Sequence, residues 1–194
     1  MSLRSIDLCR MCVLAAMMPL VGARAQSGDV DPVIALKVKA AFLLNFGKFV
    51  EWPESVFDGP EAPWVICVLG FDPFGHVLED TVAGKTVHGR PVRVVRLRHA
   101  ERDEAARCHI LFVSAQSRID PAEAARVCDR LPVLVVGDDS GFVVRGGMIG
   151  FVVEQGRIRF EVCPKALERA GLRAAATFLN LAKLIHSQAC EGSG

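Results

Sequence analysis

Four short, mostly apolar runs recur along the middle of the sequence, and they constrain the fold more than any other feature. The runs are residues 64–69, 92–97, 109–114 and 132–136. The first, third and fourth have the length and composition of a buried strand, whereas in 92–97 arginines alternate with apolar residues, as in a half-exposed strand with a solvated face. The segments between them predict helices over residues 71–82, 99–107 and 120–130, two of which start with an Asp-Pro pair. Alternation of buried strands with helices predicts a mostly parallel sheet covered on both faces.

The C-terminal part of the sequence follows a different pattern. Residues 148–153 and 157–162 are β-rich runs separated by Glu-Gln-Gly, which predicts an antiparallel hairpin. Beyond Pro164, a short helix is expected to end at Gly171, and a longer amphipathic helix to follow it. The expected buried face of that longer helix comprises Ala174, Phe178, Leu181 and Ile185. The fold class predicted is therefore α/β, as a single three-layer domain with a C-terminal antiparallel hairpin.

A first helix is predicted to start at Asp31 and to end near Trp52-Pro53. Asp31 can cap the helix, Pro32 suits its first position, and the residue before a proline disfavours helical backbone. Apolar residues cover so much of its surface that we expect it to be mostly buried; they include Ile34, Val38, Phe42, Phe46 and Phe49. Trp52 is either part of the core or a contact surface for a partner.

The N-terminus has the three parts of an export signal: positive residues Arg4 and Arg10, an apolar run over 11–21, and a small-residue site at Ala23-Arg-Ala25. We expect residues 1–25 to be cleaved, 26–30 to be a flexible leader, 31–188 to form the domain and 189–194 to be a polar tail. The apolar run is shorter than the ~20 residues that cross a bilayer. The mature protein is therefore expected in the periplasm and not embedded in a membrane.

Charge and motifs exclude several functional classes. Removing residues 1–25 lowers the basic residues from 23 to 20 and the acidic residues from 22 to 21, which leaves a net charge of about −1. That balance offers no basic surface for nucleic acid. No hydrolase, zinc-protease or phosphate-loop motif occurs, and the histidines are scattered. We therefore expect no catalytic residues, metal or cofactor. Asp138-Asp139 is either a polar turn or a ligand site at the end of a strand.

Several sequence blocks, in a fixed order, resemble the YfiR-like family of periplasmic proteins. The blocks are residues 39–53, 66–75, 108–113, 146–149, 159–162, 170–172 and 179–182. The resemblance implies a regulator that acts by binding. Its implied partner is the periplasmic region of a membrane diguanylate cyclase, held inactive while bound, with an outer-membrane peptidoglycan-binding lipoprotein as the relieving partner. The protein would thus control cyclic di-GMP and biofilm formation.

The alternatives to this function are a periplasmic small-ligand-binding protein, an accessory to another membrane sensor such as a histidine kinase, and, last, a hydrolase with an unrecognised site. A homodimer is compatible with each of them. Neighbouring genes would separate the cyclase regulator from the small-ligand-binding protein, since an adjacent cyclase gene favours the regulator and transporter genes favour the ligand-binding protein.

The resemblance also implies a disulfide between Cys67 and Cys108, because these positions match the cysteines that recur in the family; two buried free thiols are the alternative. Such a bond is structural first, and a redox-sensing role is a further hypothesis. A second bond between Cys128 and Cys163 stays open, as does Cys128 as an inert core residue. Cys190, in the polar tail, is the cysteine most expected to carry an exposed thiol. Five mature cysteines leave at least one unpaired within a monomer.

Overall fold

The structure of the protein, a computed structural model, describes residues 30–191. The expected signal peptide, residues 1–25, and most of the expected leader lie outside this part. The strands are β1 (Val50–Glu51), β2 (Trp64–Leu69), β3 (Thr86–Val87), β4 (Arg90–Leu97), β5 (Ile110–Val113), β6 (Leu134–Gly137), β7 (Ile149–Glu154), β8 (Arg157–Val162), β9 (Arg173–Ala174) and β10 (Lys183–Leu184). The helices are α1 (Pro32–Phe49), α2 (Val77–Val82), α3 (Arg102–Ala105), α4 (Pro121–Val127), α5 (Pro164–Arg169), α6 (Ala176–Leu179) and α7 (Gln188–Glu191).

Eight strands form one curled sheet in the order β10-β8-β7-β6-β5-β2-β4-β3. The pairs from β4 through β2, β5 and β6 to β7 are parallel, and β7 pairs with β8 as an antiparallel hairpin. Helices α1 and α2 pack together over one face, and α4 packs against β6 on the other. The predicted fold class, a mostly parallel α/β sheet with a C-terminal antiparallel hairpin, is confirmed.

The central strands are buried because helices cover both of their faces. All four residues of β5 and all four of β6 are buried, and in β2 only Val65 is half-exposed. The register places Ile66 opposite Ile110 and Val68 opposite Phe112. Side chains that alternate along these strands therefore supply the core to both helix layers.

Helix α1 begins as the sequence predicts, since the carboxylate of Asp31 accepts the backbone N–H groups of Val33 and Ile34 at 2.8 and 3.3 Å. It ends at Phe49, and β1 begins at the next residue, Val50. The helix is less buried than expected, because Ile34 and Phe49 are exposed. Its tightest contact is at Gly47, where a Cβ atom would lie 2.6 Å from the Trp64 ring. This close approach fixes Trp64 beneath the end of the helix.

The prediction of a long C-terminal helix after Gly171 is wrong. Ala174 lies in β9 and pairs with Val50 of β1, and only residues 176–179 are helical before β10 joins the sheet beside β8. Phe178 is buried, with its ring centroid 5.2 Å from that of Phe160. Leu181, expected on the same buried face, is exposed. Pairing with β1 and β8 satisfies backbone groups that a helix would have satisfied internally, so tertiary contacts override the helical spacing.

Candidate functional site

Cys67 and Cys108 form a disulfide with a Cα–Cα distance of 5.8 Å, the pair that the family resemblance implies. Cys67 lies within β2, and Cys108 lies just before β5 on the neighbouring strand. Both side chains are buried. The bond therefore ties the start of β5 to β2 from inside the core.

The hypothesis of a Cys128–Cys163 bond is not borne out. Cys128 is a buried free thiol, whose pKa is raised to about 12 because burial disfavours the thiolate. Cys163 is disulfide-bonded, so its sulfur is not available to Cys128. Cys128 is thus the inert core residue that the sequence analysis considered. The side chain of Cys190 lies outside the part of the structure that is described.

His109 connects the disulfide to an aromatic cluster. Its backbone N–H donates to the Val65 carbonyl at 2.9 Å, and its Nδ1 accepts the Val65 N–H at 3.0 Å. Burial, assisted by the nearby charge of Arg90, lowers the pKa of His109 to about 4. The imidazole is therefore neutral at physiological pH. Because Nδ1 acts as an acceptor, the proton of the neutral ring is on Nε2.

The rings of Trp52, Phe57 and Trp64 surround this histidine, and we call these three rings together with His109 the aromatic chamber. Ring centroids are 4.7 Å apart for Phe57 and His109, and 5.4 Å apart for Trp52 and Trp64. A cavity of about 440 Å³ adjoins the cluster, and Trp52, Phe57 and Trp64 all line it. The chamber lies at the amino end of β2 and β5, just below the disulfide.

Three N–H groups of the chamber have no acceptor among the described residues: Trp52 Nε1, Trp64 Nε1 and His109 Nε2. The three residues are 9%, 1% and 6% exposed. A buried donor without a partner costs on the order of 1–3 kcal/mol. Two of these donors belong to Trp52 and Trp64, which line the cavity, and the third belongs to His109, which does not.

Arg90 holds the outer wall of the chamber. Its guanidinium lies 3.8 Å from the centre of the Phe57 ring and donates to the carbonyls of Gly59, Pro60 and Ala62 at 2.6, 3.1 and 3.2 Å. These bonds fix the loop that carries Phe57. The cation also pairs with Glu54 at 3.8 Å, and the carboxylates of Glu51 and Glu54 line the cavity together with Arg90 and Arg173.

At the carboxyl end of the sheet, where α/β folds commonly bind ligands, an internal ion pair lines a cavity of about 330 Å³. Asp138 accepts Lys39 Nζ and the Ala115 N–H, both at 2.6 Å, and the two charged side chains are mostly buried. Asp139 pairs with Arg145. These contacts favour the structural interpretation of Asp138-Asp139 as a polar turn.

Neither a metal site nor a membrane span is found in the described range. Residues 30–191 contain no cluster of three or more His, Cys, Asp or Glu side chains placed to hold a metal ion. None of their helices is long and apolar enough to cross a membrane.

Comparison with known proteins then identifies the family. A family model described as YfiR/HmsC-like matches residues 36–183, which is most of the chain. The chain belongs to the YfiR/HmsC-like family. The family consists of periplasmic regulators rather than enzymes, and its members act together with membrane regulators. Among curated proteins, no significant match to the chain is found.

In this YfiR/HmsC-like protein, Trp52 is a chamber residue rather than a broad surface contact, because only 9% of it is exposed. The sequence analysis did not single out Phe57 or Arg90, and it treated His109 as one of several scattered histidines. The available signal was the position of His109, directly after Cys108 and at the start of a strongly apolar run. The loop that brings Phe57 and Arg90 to it has no sequence signature.

Proposed function

We propose that the protein binds the periplasmic region of an inner-membrane diguanylate cyclase and holds the enzyme inactive. An outer-membrane peptidoglycan-binding lipoprotein would relieve this repression. What supports the proposal is membership of a family of periplasmic regulators, over a match that includes every strand of the described domain except the last residue of β10. The protein acts through binding, not catalysis. A histidine kinase is the other class of membrane sensor that this mode of action would suit.

Repression by binding requires the protein to prefer the inactive conformation of the cyclase. A shift from mostly active to mostly inactive cyclase needs a difference in binding free energy of about 5.5 kcal/mol at the extreme. Buried aromatic contacts supply such differences most readily. In this proposal the partner inserts a side chain into the cavity beside the aromatic chamber, where Trp52 is the contact residue. An inserted carbonyl or carboxylate would also accept the unpartnered N–H groups.

The deciding experiment compares cellular cyclic di-GMP in strains with and without the gene. Deletion should raise cyclic di-GMP and surface attachment, and the exported protein should restore both. A version that lacks residues 1–25 should not restore them, because it would remain in the cytoplasm. Unchanged cyclic di-GMP, with the neighbouring cyclase shown to be expressed, would contradict the proposal.

Export itself is tested separately. Mass spectrometry of the periplasmic fraction should find a mature chain that begins at Gln26, after cleavage behind Ala25. A periplasmic protein that still began at Met1 would contradict this.

The unpartnered N–H groups favour a second candidate function, the binding of a small periplasmic ligand. The ligand would be small enough to enter the cavity beside the aromatic rings and would carry oxygen or nitrogen acceptors. A screen of such compounds by thermal unfolding should find at least one whose stabilisation is lost in Trp52→Ala but kept in the distant variant Val144→Ala. Equal stabilisation in both variants would place the ligand elsewhere.

A further inference from the structure

The sheet has an incomplete edge beside β4. Its last strand, β3, has only two residues, and these pair with Arg90 and Pro91 at the start of β4. On the inner side, β4 pairs with β2 over residues 92–97. Within residues 30–191, no strand covers the outer side of β4 beyond Pro91. Residues 93–97 of this edge strand thus have no strand partner on one side.

Two hydrogen bonds show which backbone groups point to that side. The Val92 N–H donates outwards to the Lys85 carbonyl at 3.4 Å, whereas the Leu97 carbonyl accepts the Gly70 N–H at 2.8 Å from the direction of β2. Backbone groups alternate along a strand, so Val94 and Arg96 present their N–H and C=O groups at the outer edge. An exposed row of this kind is a template for a further strand.

The side chains around this edge are a mixture of half-buried valines and exposed arginines. Val92, Val94 and Val95 are half-buried, so apolar surface remains on both faces of β4. Arg93 and Arg98 are exposed and have no ion pair or hydrogen-bonded partner in the described chain. Arg96, by contrast, is held by Asp72 and Glu79. The edge therefore combines open backbone groups, apolar surface and two uncompensated positive charges.

We propose that the outer edge of β4 accepts an extended, acidic segment of another protein as an added strand. Main-chain hydrogen bonds to Val94 and Arg96 hold the segment, and its carboxylates face Arg93 and Arg98. A second copy of this chain fits the edge poorly. Pairing β4 with itself would bring three arginines of each copy close together, and like charges across strands are destabilising. The proposal does not depend on the identity of the cyclase partner.

Hydrogen exchange measured by NMR tests the edge in the free, disulfide-bonded protein. The amides of Val94 and Arg96 should exchange faster than those of Val95 and Leu97, which face β2. Equal protection of all four amides would overturn the proposal. Protection of Val94 and Arg96 that rises with protein concentration, together with dimer formation, would assign the edge to a second copy and would also overturn it.

The second arm uses a synthetic eight-residue peptide, two repeats of Val-Val-Glu-Glu, as the probe, since this order places carboxylates on both faces of an added strand, as Arg93 and Arg98 require. Adding it should slow exchange at Val94 and Arg96 at least tenfold. The double variant Arg93→Glu/Arg98→Glu should weaken binding at least tenfold, whereas the control Arg157→Glu/Arg159→Glu, which changes the same charge at a distant site, should not. A peptide N-methylated at every residue should not bind, because it lacks backbone donors on both edges. Absence of binding to the wild-type protein, or equal loss in both double variants, would overturn the proposal.

Discussion

The two ends of the parallel strands differ in how completely their polar groups are satisfied. At the carboxyl end, the Asp138 carboxylate has two partners, Lys39 and the Ala115 amide. At the amino end, the chamber leaves three buried N–H groups without acceptors among the described residues. Native proteins satisfy nearly all buried polar groups, so an accumulation of exceptions needs a reason. Among the described residues the carboxyl end has one such exception, Glu79 Oε2 beside Arg96, against three donors at the amino end, so the unpartnered groups are concentrated at the amino end.

The proposed site therefore lies at the end of the strands opposite to the carboxyl end, where α/β sheets usually bind ligands. This placement comes from the chain that leaves α1. The loop between β1 and β2 places Trp52 and Phe57 over the start of β2. The Arg90 guanidinium fixes this loop by donating hydrogen bonds to three of the loop's carbonyl groups. The disulfide and His109 then anchor the floor of the chamber. The position of the proposed site is thus set by the loops and not by the direction of the strands.

The largest expected effect concerns the anchor of the amino end. Replacing Cys67 and Cys108 together by serine should lower the free energy of unfolding by about 4 kcal/mol, because the bond closes a loop with a sequence separation of 41. Urea unfolding of the oxidised wild type and of the variant measures the difference. The control Cys128→Ala removes a free thiol and should cost about 1 kcal/mol.

A loss no larger than that of the Cys128 control would mean that the disulfide does not anchor the amino end. In that case the comparison between the two ends would have to rest on His109 alone.

At the carboxyl end, the variant Asp138→Asn should lower the free energy of unfolding by about 3 kcal/mol, since it leaves the Lys39 ammonium mostly buried without a counter-ion. The double variant Lys39→Met/Asp138→Asn removes the stranded charge and should recover much of the loss. Urea unfolding of all three variants, analysed as a double-mutant cycle, gives the coupling. Regulatory activity should persist in the double variant. If it were abolished in a folded double variant, the carboxyl end would be functional and the comparison would fail.

Local sequence signals predicted the elements, and long-range contacts decided the rest. The run at 64–69 is strand β2 with the expected bounds, and the hairpin formed by β7 and β8 lies where its turn predicted it. Helix α2, however, begins only at Val77, because the Asp72 carboxylate accepts the Phe74 N–H in a turn. Short-range patterns fix buried strands well because their burial requires an apolar run.

The chamber could not be predicted in the same way. Its four rings come from three separate segments, and Phe57 reaches His109 only because Arg90 bridges to the loop carbonyls. The incorrect C-terminal helix has a related cause, since Ala174 pairs with Val50 more than a hundred residues away. Helical spacing carries no information about such distant backbone partners.

The pH dependence of stability should distinguish the amino end. His109 has a pKa of about 4 in the folded protein and 6.5 as its ordinary value, so the unfolded chain takes up a proton at higher pH than the folded one. Stability from the neutral imidazole is therefore complete above pH 6.5 and is lost as the pH falls towards 4, by about 2 kcal/mol. Urea unfolding at pH 7, 5.5 and 4.5 measures this loss.

The matched variant for this measurement is His109→Gln, which keeps an acceptor for the Val65 N–H but does not titrate. Its stability should fall less steeply with acidification than that of the wild type, while the other histidines contribute equally to both proteins. Parallel pH profiles would show that His109 titrates normally and that the chamber is open to water.

The smallest expected change in stability is that of Trp52→Phe, and this variant tests most directly whether the unpartnered N–H groups of the amino end serve binding. Trp52→Phe removes an unpartnered N–H and keeps a ring beside Trp64, so the free energy of unfolding should change by less than about 1 kcal/mol. Trp64→Phe should cost more, on the order of 2 kcal/mol, because Trp64 is 1% exposed and packs against Gly47. The cyclic di-GMP assay then decides what the Trp52 N–H is for. A stable Trp52→Phe protein that no longer represses the cyclase would assign this donor to binding, since nothing structural was lost. If the stable variant represses the cyclase normally, the Trp52 N–H has no role in binding, and the amino end would then differ from the carboxyl end in packing alone.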